Sequence, residues 1–382
     1  MLKNWLFIFL ALSLWAACSK ETPEEPEVPL PPSNAENCQI LDKSLSSIPY
    51  EPVNYDLPQP VGFPQMEIPA DNPLTVDGVE LGRRLFFDPI LSADGTQSCS
   101  SCHFQNSAFT DNQAVSRGID GIAGTRSSMS LTNLGYNFNG LFWDGRVSTL
   151  EAQALLPVED PIELHHSWVD VVCDLTNHPD YPTYFRKAFG IDNTNQITKE
   201  LAAKAMAQFE RSLVSYNSKF DRVIYRQEEF FSDDELNGYE MFFDLASGIL
   251  PDAECGHCHN APLFTVNNYR NNGLDEALDL ATDFEDNGFG NVTGNVFDNG
   301  KFRIPTLRNI ALTAPYMHDG RFQTLEEVID HYDSGGHYAD NLDPLIFPIG
   351  LTEEQKGQIL SFLHTLTDTT SLAGEQFSDP FE

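Results

Sequence analysis

The sequence predicts a mainly α-helical protein whose two halves repeat one plan. Three observations predict it. First, C-x-x-C-H occurs twice, as Cys99-Ser-Ser-Cys102-His103 and as Cys255-Gly-His-Cys258-His259. This is the attachment signature of a c-type haem, with two thiols for the vinyl groups and an adjacent histidine for the iron. C-x-x-C pairs also bind zinc, but two copies that both end in histidine favour haem. Second, the surroundings repeat. With Cys99 placed over Cys255, an offset of 156, Gly82, Phe86, Phe87 and Asp88 fall on Gly238, Phe242, Phe243 and Asp244. Further on, Asp144-Gly-Arg-Val-Ser-Thr-Leu-Glu151 matches Asp319-Gly-Arg-Phe-Gln-Thr-Leu-Glu326 at an offset of 175. Third, helix signals are frequent and strand signals sparse. The expected fold class is two cytochrome-c-like domains, each binding one covalent haem c, related by internal duplication.

The chain begins with a Lys-bearing start and an apolar run that ends in small residues, so 1–17 reads as a signal peptide. The run is too short for a secure transmembrane span. Ala16-Ala17-Cys18 resembles a bacterial lipobox. An exported lipoprotein of the periplasm or cell envelope is expected, touching the membrane only through Cys18. The Pro/Glu-rich stretch 18–70 is expected to be a flexible tether without its own core. Acidic residues outnumber basic ones 57 to 22, giving a formal charge of −35. Such a surface disfavours nucleic acid and anionic membranes and suits a basic redox partner. Of seven cysteines, four belong to haem and one to the anchor. Cys38 and Cys173 remain, and an oxidising compartment permits their pairing.

Domain boundaries follow the repeat: 71–217, 218–368 and a tail, 369–382. Each domain should open with a helix leading to its haem motif, 77–87 and 233–243. Ser232 caps the second, with Glu235 completing a capping box. The paired phenylalanines are expected to line the haem pockets. Leu201, Ala205, Phe209 and Leu213 recur at helical spacing, predicting a helix within 198–216. A last helix is expected over 352–366, capped by Thr352 with Glu353 and Glu354 in its first turn. The extra 19 residues of the second half fall in the Gly/Asn/Asp-rich stretch 267–300, expected to be a long loop.

The repeat also shows where the halves differ. Seven residues beyond Leu150 and Leu325 stand Pro157 and Tyr332. Proline has no side-chain ligand for iron, and tyrosine has a phenol oxygen. The first haem is therefore expected to be open and the second closed by Tyr332, with His331, Met317 and His318 as competitors. An open iron does chemistry on a small ligand, and a closed one moves electrons. Peroxide cleavage needs a group that takes a proton from one oxygen and returns it to the other. The segment after the first Asp-Gly-Arg supplies Glu159, Asp160 and Glu163, with Gln153 as a hydrogen-bond donor. Glu163 lies between Ile162 and Leu164, which suits a partly apolar pocket and a raised pKa.

The chain from about 73 to 366 resembles the bacterial di-haem cytochrome c peroxidases and their MauG-type relatives. The resemblance rests on Leu81-Gly-Arg-Arg-Leu-Phe-Phe-Asp88-Pro, both haem motifs, Phe142-Trp-Asp-Gly-Arg146, Gln153…Pro157…Glu163, and Pro305-Thr-Leu-Arg-Asn309 running into Thr313-Ala-Pro-Tyr-Met-His-Asp319. It implies a peroxide site at the His103 haem, with Glu163 as acid/base beside Gln153. Trp143 would be an electron relay, and the His259 haem would receive electrons from a small c-type cytochrome. It also implies a calcium ion held near Thr313 and Pro315, with Ser127 where the family has asparagine, and a homodimer. Two positions depart from many peroxidases. Ile119 stands where those enzymes carry a switchable histidine, and Tyr332 stands where they carry methionine, as in MauG-type enzymes. The expected activity is reduction of hydrogen peroxide to water. The alternatives are MauG-type oxidation of a protein or organic substrate, and non-catalytic electron transfer.

Overall fold

A computed structural model describes residues 38, 40, 42–245 and 248–381. The expected signal peptide and Cys18 lie outside the described residues. Helices dominate. In the first half they are α1 (Val76–Phe87), α2 (Leu150–Glu159), α3 (Trp168–Asn177), α4 (Tyr181–Phe189) and α5 (Lys199–Ser212). The second half holds α6 (Lys219–Ile224), α7 (Asp233–Phe242), α8 (Cys255–Cys258), α9 (Gly290–Thr293), α10 (Leu325–Ser334) and α11 (Glu353–His364). The one described sheet pairs β1 (Tyr269–Arg270) antiparallel to β2 (Phe302–Arg303). No described helix is long and apolar enough to cross a membrane.

The helices begin where side chains can satisfy their free N–H groups. Thr75, Thr149, Thr198, Ser232, Thr324 and Thr352 each accept a first-turn amide of α1, α2, α5, α7, α10 and α11. The expected helix within 198–216 stops at Ser212. Beyond it the backbone N–H of Ser215 is taken by Asn133 Oδ1 and those of Tyr216 and Asn217 by Asp368 Oδ2.

Two helix pairs carry the halves, and each is set by a glycine. A Cβ on Gly82 would lie 1.9 Å from the Ala205 carbonyl oxygen, and one on Gly238 would lie 2.0 Å from that of Gln358. Only glycine lets α1 approach α5, and α7 approach α11, this closely. Behind these crossings sit matching aromatic clusters, Phe86 with Phe109 and Phe209, and Phe242 with Phe264 and Phe362. Within the second half Arg308, fully buried, ties the loop before residue 309 to α6 by two hydrogen bonds to Asp221 at 2.9 and 2.7 Å.

Two expectations are corrected, and the tail gains a place. The tether is shorter than 18–70, because residues from about 44 onward pack on the domains. Leu45 and Met66 are buried, and the Leu45 N–H donates to the Asp192 carbonyl. Enough apolar residues punctuate this Pro-rich stretch to dock it, and a Cys38–Cys173 disulfide fastens its start. The tail packs on the domains as well. Leu372 and Phe377 are buried in the cluster around Phe86 and Phe109, so the C-terminus returns to the first half. The stretch 267–300 is not a plain loop. It contains β1 and α9, and Ala277, Leu280 and Phe284 form a small core with Ala339.

Candidate haem cavities and the wall between them

Each C-x-x-C-H motif opens into a cavity. The first, about 480 Å³, is lined by Cys99, Cys102 and His103, and the second, about 260 Å³, by Cys255, Cys258 and His259. The histidines are held alike. His103 Nδ1–H donates to the Phe109 carbonyl at 2.7 Å, and His259 Nδ1–H to the Phe264 carbonyl at 2.9 Å. That bond fixes the ring and leaves Nε2 free for a metal. Burial also lowers both pKa values, that of His259 to about 4, so each ring is neutral and able to ligate. Two thiols and an oriented imidazole in a largely apolar cavity fit a c-type haem. The carbonyl partners were not legible in the sequence. Phe109 and Phe264 stand six and five residues after the histidines, and they present their carbonyls from positive-φ turns (61° and 54°).

Of the paired phenylalanines, Phe86 and Phe242 line the cavities, while Phe87 and Phe243 pack behind them. Pro157 and Tyr332 occupy the eighth positions of α2 and α10, and each lines its own cavity. The Tyr332 hydroxyl accepts a hydrogen bond from Asn272 Nδ2 at 3.2 Å. Burial pushes the phenol up to about 12, against the lowering effect of Asn272, so it would need a cation at hand to ionise. Among the competitors, His331 is turned away, with Nε2 against the Asn272 carbonyl. His318 is stacked on Phe302 with ring centroids 3.6 Å apart. Met317 lines the cavity and its sulfur meets the same Asn272 amide.

The first cavity gathers the acid/base candidates. Glu163 lines it, with its carboxyl pushed up to about 7 by burial and by the neighbouring Asp160 charge, opposed by Arg146. Asp160 is also at the wall, but its Oδ1 accepts the Ile162 N–H. Glu159 is exposed and outside the lining. Gln153 is present with Oε1 buried and unpartnered. The loop 116–120 presses on Glu163. A Cβ on Gly118 would lie 2.3 Å from the Glu163 carbonyl oxygen, which accepts the Ile119 N–H. The only histidine in this lining is His103. Sequence reasoning missed Glu210, a buried carboxyl in the same wall. Burial raises it to about 8, and its Oε2 has no partner.

Trp143 lines both cavities. Its Nε1–H donates to the Ser127 carbonyl at 2.9 Å, and its own carbonyl accepts the Arg303 N–H at 2.8 Å. Ser127, Thr313 and Pro315 all line the second cavity. The Ser127 hydroxyl donates to the Met317 carbonyl and that of Thr313 to the Ile310 carbonyl, while Pro315 offers only a backbone oxygen. Calcium takes six to eight oxygens. These three residues offer two backbone carbonyls and one hydroxyl already engaged with Met317, fewer oxygens than such a cage takes.

A family model described as di-haem cytochrome c peroxidase matches residues 76–229. Cytochrome-c peroxidase IdrP1 of Denitromonas iodatirespirans is 35% identical over 340 residues, covering 82% of this chain and 88% of its own. The methylamine utilization protein MauG of Methylorubrum extorquens is 34% identical, covering 78% and 80%. Among solved structures, a MauG-like protein associated with microbial copper homeostasis superposes with a TM-score of 0.77 at 36% identity. It covers 86% of this chain and 99% of the other. Two C-x-x-C-H cavities that share a wall containing Trp143, and relatives matched across both halves, place the chain in the di-haem cytochrome c peroxidase and MauG family.

Proposed function

We propose that the protein is a peroxide-consuming di-haem oxidoreductase. It carries one haem c on Cys99, Cys102 and His103 and another on Cys255, Cys258 and His259, in a frame that arose by duplication. One observation carries the reading: the same helical position presents Pro157 to one cavity and Tyr332 to the other. Bound haem supplies the iron at which peroxide is reduced and from which electrons are drawn. The residues supply the rest. Pro157 leaves the space above His103 without a ligand. Glu163, poised near neutrality, takes a proton from the incoming oxygen and returns it to the leaving one. Gln153 orients the peroxide. Trp143 stands in the wall that the two sites share, and Tyr332 offers its oxygen to the second.

The electrons come from a small c-type cytochrome, which the charge of −35 would steer if that partner is basic. A second reading is favoured by Tyr332. A phenolate ligand stabilises the oxidised metal, which suits holding oxidising equivalents for a protein or organic substrate, as in MauG-type enzymes. The protein acts in the periplasm or cell envelope, lipid-anchored at Cys18, and forms a homodimer.

The decisive experiment combines spectra with turnover. One high-spin and one low-spin haem are expected in the oxidised protein, with a spectral response to peroxide. Two low-spin haems and no response would leave only electron transfer. Rapid peroxide-dependent oxidation of reduced cytochrome supports the first electron source. Negligible oxidation, together with a mass change in a partner protein, supports the second.

A further inference from the structure

Arg303 closes β2 and lines both cavities. Its backbone N–H is fixed on the Trp143 carbonyl. The residue is 4% exposed, yet no carboxylate pairs with it among the described residues. Among the described residues its Nε is buried without a partner, and its guanidinium makes only a long contact of 3.4 Å to Asn267 Oδ1. Burial without an acid lowers its pKa to about 10.

The neighbouring arginines are treated differently. Arg126, in the first cavity wall, is held by Asp144 at 2.6 Å and Asp286 at 2.7 Å. Arg270, in the second, is held by Asp343 at 2.7 Å. Arg211 is held by Glu151, and Arg308 by Asp221. A buried cation without a counter-charge is costly. One shared by two cavities calls for anions that arrive with the contents of both, and a haem carries two carboxylate arms.

We propose that Arg303 is the common anchor of the two haems, its planar fork receiving one propionate carboxylate from each cavity. The guanidinium has five donors in a rigid plane, which suits two carboxylates at once, whereas an ammonium acts as a point charge. Arg303 is then a positioning residue. It sets the two haems relative to Trp143, to which its backbone is bonded. A positive charge shared by both propionate sets also favours the reduced form of both irons, so it raises both potentials together.

The inference rests on both cavities being haem sites, which haem stoichiometry tests by itself. If the wild type holds fewer than two haems per chain, that reading fails. With two haems present, midpoint potentials are compared in haem-loaded wild type, Arg303→Met and Arg303→Lys. The Met variant is expected to keep two attached haems and to lower both potentials, with Lys falling between. Movement of neither potential, or of only one, overturns the proposal. Should the Met variant not accumulate, the Lys variant and a crystal structure of the haem-loaded wild type carry the test. The guanidinium should lie about 3 Å from a carboxylate of each haem. A guanidinium in contact with only one haem, or with none, overturns the proposal.

Discussion

Replacing Glu163 by glutamine removes an ionisable group and little volume. The carboxyl lies in the first cavity wall and is pushed up to about 7, first by burial and then by Asp160, with Arg146 opposing. A group poised there can both accept and return a proton at neutral pH. Such catalysis contributes about 10²–10⁴-fold, or about 3–5 kcal/mol of barrier. Glu163→Gln is therefore expected to keep both haems and their visible spectra while peroxide turnover falls by about two to four orders of magnitude. The wild-type profile of kcat/KM should rise with pH through about 7, because the ionised carboxylate must receive the first proton. Asp160→Asn removes an anion that raises this pKa, so it should move that limb to lower pH. Peroxide turnover is followed by stopped flow at several pH values, with haem content measured on the same samples. Full turnover in the glutamine variant, or a limb unmoved by Asp160→Asn, would refute the assignment of Glu163 as the proton carrier.

Other outcomes follow from single contacts. Tyr332→Phe keeps the buried ring and removes the oxygen, so the second haem should lose its low-spin signature; an unchanged electron paramagnetic resonance spectrum would pass the ligand role to Met317. Gly238→Ala would put a methyl group 2.0 Å from the Gln358 carbonyl oxygen and force α7 from α11, costing about 1–3 kcal/mol, read as a fall in Tm. Glu210 is raised from 4.5 to about 8 by burial, so folding favours its protonated form. Stability from this group is intact below about 4.5 and is lost as pH rises toward 8, at about 1.4 kcal/mol per unit. Glu210→Gln should flatten that slope in denaturant titrations across this range, and an equal slope in both proteins would count against an ionisable buried carboxyl.

Much of the fold was legible because its signals are local. Helix starts such as Ser232 and Thr352 depend on one hydroxyl and the next turn, so α7 and α11 appear within two residues of their expected limits. The docked segment after residue 44 and the returning tail were not legible, because their composition resembles tether. What decides them is distant partners: Asp192 for Leu45, and the Phe86 cluster for Phe377. The candidate site divides in the same way. C-x-x-C-H is a contiguous chemical signature, and the contrast between Pro157 and Tyr332 follows from counting along two helices with equivalent caps.

The sequence by itself determined the two attachment motifs, the repeated frame and the difference between its halves, because each of these is carried by spacing along the chain. Only the tertiary structure decided which carbonyls hold His103 and His259, that Glu163 faces the first cavity while Glu159 does not, and that Arg303 stands beside Trp143 without a counter-charge. Those properties depend on burial and on which groups meet across the fold. Neither a residue's type nor its number records how much water and opposing charge folding leaves beside it.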